Sequence, residues 1–334
     1  MKLLVTGGAG FIGSTYVRRH LAEHPDDRIV VLDKLTYAGR MENLATVPPG
    51  SVDFVHGDIA DAETVAGAIV GCDAVVNFAA ESHVDRSIEN PGAFIQTDVY
   101  GTYVLLEAAR KQDIRHLQIS TDEVYGSIEE GTFTEQSPIE PSSPYSASKA
   151  GGDMIVRAYN HTYGADCLIV RASNNYGPNQ HPEKLIPLMI LNAMAGDRLP
   201  VYGDGMQVRN WLFTEDFASA IDVVLDRGEA GEVYNVGGPE EMTNIDVVRR
   251  ILELTGRDET QIDHVADRLG HDRRYSLSSD RTEGLGWRAE VGFDEGIRRT
   301  VDWYREHPEW WEPIRDGEYR EYYERQYGKK LGGE

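Results

Sequence analysis

Near the start of the chain a glycine-rich turn joins two apolar segments, and few backbones can accommodate it. Lys2–Thr6 is a short β-prone run; Thr6-Gly7-Gly8-Ala9-Gly10-Phe11-Ile12-Gly13 follows at once and opens a helical pattern over Phe11–Glu23. Glycines at these spacings permit a tight strand-to-helix turn, and they let backbone N–H groups reach an anion at the helix N-terminus. Gly13 also lets helix and strand approach closely. A second β-prone run, Ile29–Asp33, ends in a carboxylate twenty residues beyond Gly13. There Asp33 can accept both hydroxyls of a ribose and repel a 2′-phosphate. Strand, glycines and acid together predict a dinucleotide site, contacted by Gly7, Gly10, Phe11, Ile12, Gly13 and Asp33, that prefers NAD to NADP.

The alternation continues beyond that turn. Val52–Val55 is followed by a helical Ala62–Val70, Ala74–Phe78 by Pro91–Arg110, and His116–Ser120 by a long helix over Tyr145–Tyr163 and a sixth strand at Cys167–Arg171. This rhythm predicts an α/β fold, a Rossmann-type doubly wound parallel sheet with helices on both faces. After residue 172 the elements become shorter and richer in Gly, Pro and Asn. Residues 1–172 therefore read as the NAD-binding domain with the catalytic residues, and 173–330 as a smaller C-terminal α/β substrate lobe, segments of which can return to the sheet. The tail from Trp310 to Tyr327 reads as a packed helix, and Lys329–Glu334 as frayed.

Charge narrows the partners. Against 33 basic residues stand 56 acidic ones, a formal net charge of −23, which argues against nucleic acid or an anionic membrane surface. An anionic substrate then needs arginines and helix N-termini placed locally. Cys72 and Cys167, both among apolar neighbours, read as buried small hydrophobes in a reducing compartment. Met1–Thr6 runs straight into Gly7 and reads as a strand rather than a signal-peptide core, and no apolar run nears the ~20 residues of a membrane span. A cytoplasmic protein is expected.

The chemistry lies further along. Tyr145-Ser146-Ala147-Ser148-Lys149 sets a tyrosine and a lysine four apart, on one helix face. An ammonium near a phenol stabilises phenolate and should lower the Tyr145 pKa towards the working pH, making it a base for an alcohol proton. Ser120-Thr121-Asp122-Glu123 follows the fifth strand and brings two adjacent carboxylates to the edge where a cofactor lies, while Asp58-Ile59 and Ala79-Ala80 follow the third and fourth strands there.

Through Thr6–Gly13, Asp58, Ala79-Ala80 and Tyr145-x-x-x-Lys149 the chain resembles the extended short-chain dehydrogenase/reductase superfamily. The Thr121-Asp122-Glu123 triplet looks like that of the dTDP-glucose 4,6-dehydratases. Glu81–Ser87, Ser173–Pro178, Pro182–Pro187, Arg209-Asn210-Trp211 and Gly270–Tyr275 agree, so the resemblance spans nearly the full length. It implies oxidation at C4 of a nucleotide sugar by Tyr145 with Lys149, O4 being oriented by Thr121. Removal of the C5 proton by Glu123, protonation of the leaving C6 hydroxyl by Asp122 and return of hydride to C6 follow. It adds Lys34, Ser82, Tyr145 and Lys149 to the cofactor contacts. For the nucleotide sugar it implies Ser82, His83, Thr121, Asn174, Lys184, Leu185, Pro200, Tyr202, Arg209, Asn244, Arg268, His271 and Tyr275, and for the assembly a homodimer through a four-helix bundle. No metal is expected, since neither His83 nor His271 sits in a ligand-spaced cluster.

Two positions depart from the pattern. Asp98 replaces a usual asparagine, so that residue's role is not carried over, and Leu269 replaces a usual proline. Three alternatives stay open: a 4-epimerase, which shares cofactor, tyrosine and lysine but releases no water; a 4,6-dehydratase acting on UDP-glucose, CDP-glucose or GDP-mannose; and a non-catalytic NAD-binding sensor.

Overall fold

Residues 1–267 and 270–315 are described in the computed structural model of this chain. The first half alternates as its sequence predicts. β1 (Lys2–Thr6), α1 (Phe11–Glu23), β2 (Arg28–Asp33), β3 (Val52–His56), α2 (Ala62–Ala68) and β4 (Ala74–Asn77) lead into α3 (Val84–Glu89), α4 (Pro91–Phe94) and α5 (Thr102–Gln112). β5 (Arg115–Thr121), α6 (Pro144–Tyr163) and β6 (Cys167–Ala172) complete it. The predicted continuous helix over Pro91–Arg110 is interrupted, because Ile95–Gly101 forms a wider π-helical stretch between α4 and α5.

Seven parallel strands form one sheet in the order β10-β6-β5-β4-β1-β2-β3, with β10 being Val233–Val236. Alternate β1 side chains supply both faces. Leu3 and Val5 pack with Tyr16 and Val17 of α1 and with Phe217 and Ile221 of α8 (Thr214–Arg227), whereas Leu4 packs with Val65 of α2 and Leu105 of α5. Burial on both sides explains why β1, β2, β4 and β6 are rich in Leu, Ile and Val. The chain turns one way from β1 to β2 and the other way from β4 to β5. The strand C-termini at β1 and β4 therefore bound the crevice where ligands of such sheets bind.

The second half builds its own core but does not stay apart. β7 (Asn174–Tyr176), β9 (Val208–Phe213) and β11 (Glu240–Thr243) form a small sheet, and β8 (Leu199–Tyr202) pairs with β12 (Ile262–Val265). α7 (Leu185–Ala195), α9 (Asn244–Thr255) and α11 (Phe293–Glu306) enclose Met189, Phe213, Val248 and Ile297. Between these elements, α8 and β10 return to the large sheet, where Val233–Val236 pairs with Ile169–Ala172. A short α10 (Asp280–Gly284) packs on β10, and α12 (Pro308–Arg315) ends the described chain. Trp310 of α12 donates its indole N–H to Asn43 Oδ1 at 2.8 Å, tying this end to the first half. The predicted tail beyond Arg315, with its frayed end, lies outside the described residues.

Candidate active site

The glycine turn has no room for side chains. A Cβ on Gly7, whose φ is +66°, would lie 2.6 Å from the Ala79 nitrogen, and a Cβ on Gly13 would run into the Gly7 carbonyl oxygen. Gly10 caps α1 without a side chain, and the first turn of the helix carries no acid. Its unpaired N–H groups and positive dipole end are thus left for an anion. At the end of β2, Asp33 accepts from the Ala9 N–H at 2.9 Å and the Leu35 N–H at 2.8 Å. Burial raises its pKa above the usual carboxylate value despite these bonds. Lys34 reaches Asp58 Oδ2 at 2.7 Å. Burial works against a charge on Asp58, but Lys34 and the Ala60 N–H outweigh it and lower its pKa.

The crevice opens into a cavity of about 310 Å³ at the strand C-termini. On its wall lie all the cofactor candidates: Gly7, Gly10, Phe11, Ile12, Gly13, Asp33, Lys34, Asp58, Ile59, Ala79, Ala80, Ser82, Tyr145 and Lys149. Thr121, Asp122 and Glu123 share that wall, as do Asn174 and Lys184. A turn clearing Ala79, an uncapped helix end and a fixed carboxylate fit pyrophosphate and ribose, so these residues suit NAD.

β5 ends at Thr121, and Asp122–Tyr125 turns at once as a 3₁₀ helix. Thr121 Oγ1 accepts from the Glu123 N–H at 3.2 Å and donates to Asp122 Oδ1 at 3.2 Å. Asp122 is 2% exposed. Burial, helped by the neighbouring Glu123 charge and opposed by Arg209, pushes it up to about 8. It is therefore a protonated acid near neutral pH. Tyr145 and Lys149 stand one turn apart on α6, whose start is fixed by Pro144 and a Ser143–Ser146 capping box. Lys149 donates to the Ile119 carbonyl at 2.8 Å.

One sequence expectation changes here. The surroundings of Tyr145 do not bring its phenol down: burial first, then Glu123, Asp98 and Asp122, hold it well above its ordinary value against the pull of the Thr121 hydroxyl. Burial and carboxyl groups on neighbouring elements set the direction of the shift, not the lysine that sequence spacing placed one turn away.

The remaining substrate candidates divide. Arg209 is buried with its guanidinium 4.2 Å from the centre of the Tyr275 ring, and Tyr275 donates to Asp272 Oδ2 at 2.6 Å. Arg209 acts electrostatically on Asp122, and Glu123 on Tyr275, so this pair approaches the carboxylates from the second lobe. Tyr202 stacks edge-on to His271 and donates to Asp85 at 3.3 Å, while His271 meets Asp267 at 2.6 Å. His83 is buried, and desolvation pushes its pKa down to about 4. Leu185 begins α7 against the second core, Pro200 lies in β8 opposite Asp263, and Asn244 begins α9. Arg268 and the departure at Leu269 lie outside the described residues.

Sequence reading missed several wall residues, among them Glu81, Gln180, His181 and Glu183. Glu183 ion-pairs with Arg86 at 3.1 Å. Burial works against its charge, but His83, His181, Lys184 and Arg86 outweigh it and hold the pKa near about 2. The Pro182–Pro187 and Glu81–Ser87 segments held that signal as motifs. Away from the cavity, His20, His24 and Asp222 bring ligand atoms within 4.8 Å of one another, a grouping not anticipated from sequence. There His20 is bonded to Asp222 at 2.7 Å and to Asp27 at 3.1 Å.

The family model for GDP-mannose 4,6 dehydratase matches residues 4–300. The chain belongs to this nucleotide-sugar 4,6-dehydratase family. Within the family, a Mycobacterium tuberculosis dTDP-glucose 4,6-dehydratase is 49% identical over 330 residues, 97% of this chain and 99% of that one. The low-salt glycan biosynthesis protein Agl12 of Haloferax volcanii is 52% identical over 310 residues, 91% of this chain and 98% of its own. Among solved structures, the dTDP-glucose 4,6-dehydratase DesIV of Streptomyces venezuelae, with NAD and TYD bound, superposes with a TM-score of 0.92 at 53% identity. That match covers 94% of this chain and all of the other. The 4,6-dehydratase family thus accounts for both lobes.

Proposed function

We propose that the chain is a dTDP-glucose 4,6-dehydratase that works with NAD and forms dTDP-4-keto-6-deoxyglucose and water. One observation carries the reading: on the wall of a dinucleotide cavity, Asp122 is held as an acid directly beside Glu123. A 4-epimerase needs Tyr145 and Lys149 but expels no water, and a sensor needs none of the four. Relatives of about half identity that carry the dTDP-glucose 4,6-dehydratase name favour that base over UDP, CDP or GDP sugars.

The C5 proton of a hexose is not acidic until C4 is a ketone, so oxidation comes first. Tyr145, with Lys149 beside it, takes the O4 proton while Thr121 orients O4. The chemistry supplied by bound NAD is storage of the hydride taken from C4 and returned to C6, together with a positive ring charge that favours the phenolate. Glu123 removes the C5 proton, Asp122 protonates the departing C6 hydroxyl, and Glu123 returns its proton to C5. Proton balance then makes a demand. Each turnover leaves Tyr145 with one proton more and Asp122 with one fewer. Thr121 bonds Asp122 at 3.2 Å and acts on the Tyr145 phenol, so its hydroxyl stands where that proton can return.

Residues 1–172 hold cofactor and chemistry in this reading, and 173–330 mainly hold the nucleotide sugar. Lys184 and Arg209 answer the diphosphate, and Ser82, His83, Asn174, Leu185, Pro200, Tyr202, Asn244, Arg268, His271 and Tyr275 complete that side. We also propose a homodimer through a four-helix bundle. Ile95, Tyr100 and Tyr103 before and within α5, and Met154 and Tyr163 on α6, are each at least 40% exposed, an apolar surface a twin subunit would cover. A cytoplasmic location fits two buried free cysteines, and no described helix is long and apolar enough to cross a membrane.

The deciding experiment incubates the protein with dTDP-glucose and catalytic NAD. A product lighter by one water, with no net NADH, supports the reading. Conversion of UDP-glucose to UDP-galactose without water loss would replace it by the epimerase.

A further inference from the structure

The buried carboxyl of Asp98 has no part in the chemistry above, yet it faces the catalytic helix. It lies in the π-helical stretch Ile95–Gly101. An extra residue per turn widens a helix there and pushes backbone outward. α6 receives that widening with two glycines. A Cβ on Gly151 would lie 2.9 Å from Val99 Cγ2, and one on Gly152 would lie 2.7 Å from the Asp98 carbonyl oxygen. The Asp98 side chain is 2% exposed, and its Oδ2 lies 2.6 Å from the Ser148 hydroxyl, between Tyr145 and Lys149 in the sequence.

The hydrogen bonding has two states. Ser148 Oγ is 2.6 Å from Asp98 Oδ2 and 2.8 Å from the Tyr145 carbonyl oxygen, but a hydroxyl has one proton to give. With Asp98 ionised, that proton points to the carboxylate. With Asp98 protonated, the carboxyl donates to Ser148 and Ser148 donates to Tyr145. The other oxygen, Oδ1, is buried without a hydrogen bond, and the Glu81 N–H favours the charged carboxylate. The charged groups facing Asp98 are Lys149 on α6, which favours its ionised form, and Glu81 after β4, which opposes it. Burial dominates and raises Asp98 to about 6. Its charge is in turn one of those that hold the Tyr145 phenol up.

We propose that Asp98 is a positioning residue whose protonation state sets how readily Tyr145 ionises: charged, it competes for Lys149 and opposes the phenolate; neutral, it relieves that opposition. The proposal rests on Tyr145 being the base of the oxidation step. Asp98→Asn keeps shape and a hydrogen bond to Ser148 but removes the charge. Above pH 6, where Asp98 is ionised, the acid limb of single-turnover NAD reduction by dTDP-glucose moves to lower pH in Asp98→Asn. A shift of about one pH unit makes reduction about tenfold faster at a fixed pH below the limb.

A second readout needs neither turnover nor the variant. In the unsubstituted chain with ¹³C-labelled tyrosine, the Tyr145 ring signal, assigned with Tyr145→Phe, is expected to sense a titration between roughly pH 5 and 7. An unmoved or upward-moved acid limb in folded Asp98→Asn, or a flat Tyr145 signal across that window, overturns the proposal. A Tyr145→Phe protein that still reduces NAD instead overturns the underlying reading of the base.

Discussion

Arg171 Nε donates to Asp153 Oδ2 at 2.8 Å, and neither side chain is more than 1% exposed. The pair joins β6 to α6, the helix that carries Tyr145 and Lys149, and Arg171 also donates to the Tyr125 hydroxyl at 2.8 Å. Removing one partner leaves an uncompensated buried charge. Asp153→Ala is expected to destabilise the fold by about 3–5 kcal/mol, whereas Asp153→Ala with Arg171→Met recovers much of that loss. Denaturant unfolding of the two variants checks this; equal stability of single variant and parent would show that the pair stabilises nothing.

Glu123→Gln removes the proposed C5 base but leaves Tyr145 and Lys149 in place. Dehydration is expected to fall by about 10²–10⁴-fold while NAD is still reduced, so NADH absorbance accumulates on mixing with dTDP-glucose. Full turnover in this variant would withdraw Glu123 from its role.

In the proposed mechanism Asp122 must carry a proton to release water. Its folded pKa is raised to about 8, so the required form prevails below that pH and is lost above it. Dehydration is expected to decline as pH rises through about 8, and Asp122→Asn is expected to be slow at every pH and to lack that limb. The same shift bears on stability. The contribution of neutral Asp122 is fully present below the ordinary carboxylate pKa and is lost as pH rises through about 8. Thermal unfolding of wild type and Asp122→Asn at pH 6 and pH 9 separates the two effects, the variant gaining relative stability at the higher pH.

Gly13→Ala drives a methyl group into the Gly7 carbonyl oxygen. That contact is backbone to side chain at the turn itself, so the cradle must open. NADH binding, followed by fluorescence titration, is expected to weaken by more than about tenfold, a loss of over ~1.4 kcal/mol.

The strands and helices of the first half were readable from residue order, because alternation, apolar runs and the Gly7–Gly13 turn are local in the chain. Asp33 was readable for the same reason: its distance from the turn places it at the next strand end. The return of α8 and β10 to the large sheet had no such signal, since Val233–Val236 is one short apolar run among several and its partner, Ile169–Ala172, lies 64 residues earlier. Nor did residue order reveal the widened turn at Ile95–Gly101 inside a segment of uniform helical pattern.

The site divides along the same line. Tyr145 and Lys149 stand out as candidates by type and spacing, whereas Asp122 and Glu123 stand out through the resemblance of the Thr121-Asp122-Glu123 triplet to that of the dehydratases. The resemblance implies that Asp122 is the acid and Glu123 the base, but whether a carboxyl keeps its proton depends on surroundings. Asp122 is held protonated because it is fully enclosed beside Glu123, with Arg209 from the second lobe too weak to reverse the shift. The Tyr145 phenol is held up first by burial, then by Glu123 and by Asp98, which comes from a widened helical stretch far back in the chain and is bonded to Ser148 of the tyrosine's own helix. Residue identity supplies the groups, whereas proton affinity depends on burial and on charges brought together from distant segments, and those exist only once the chain has folded.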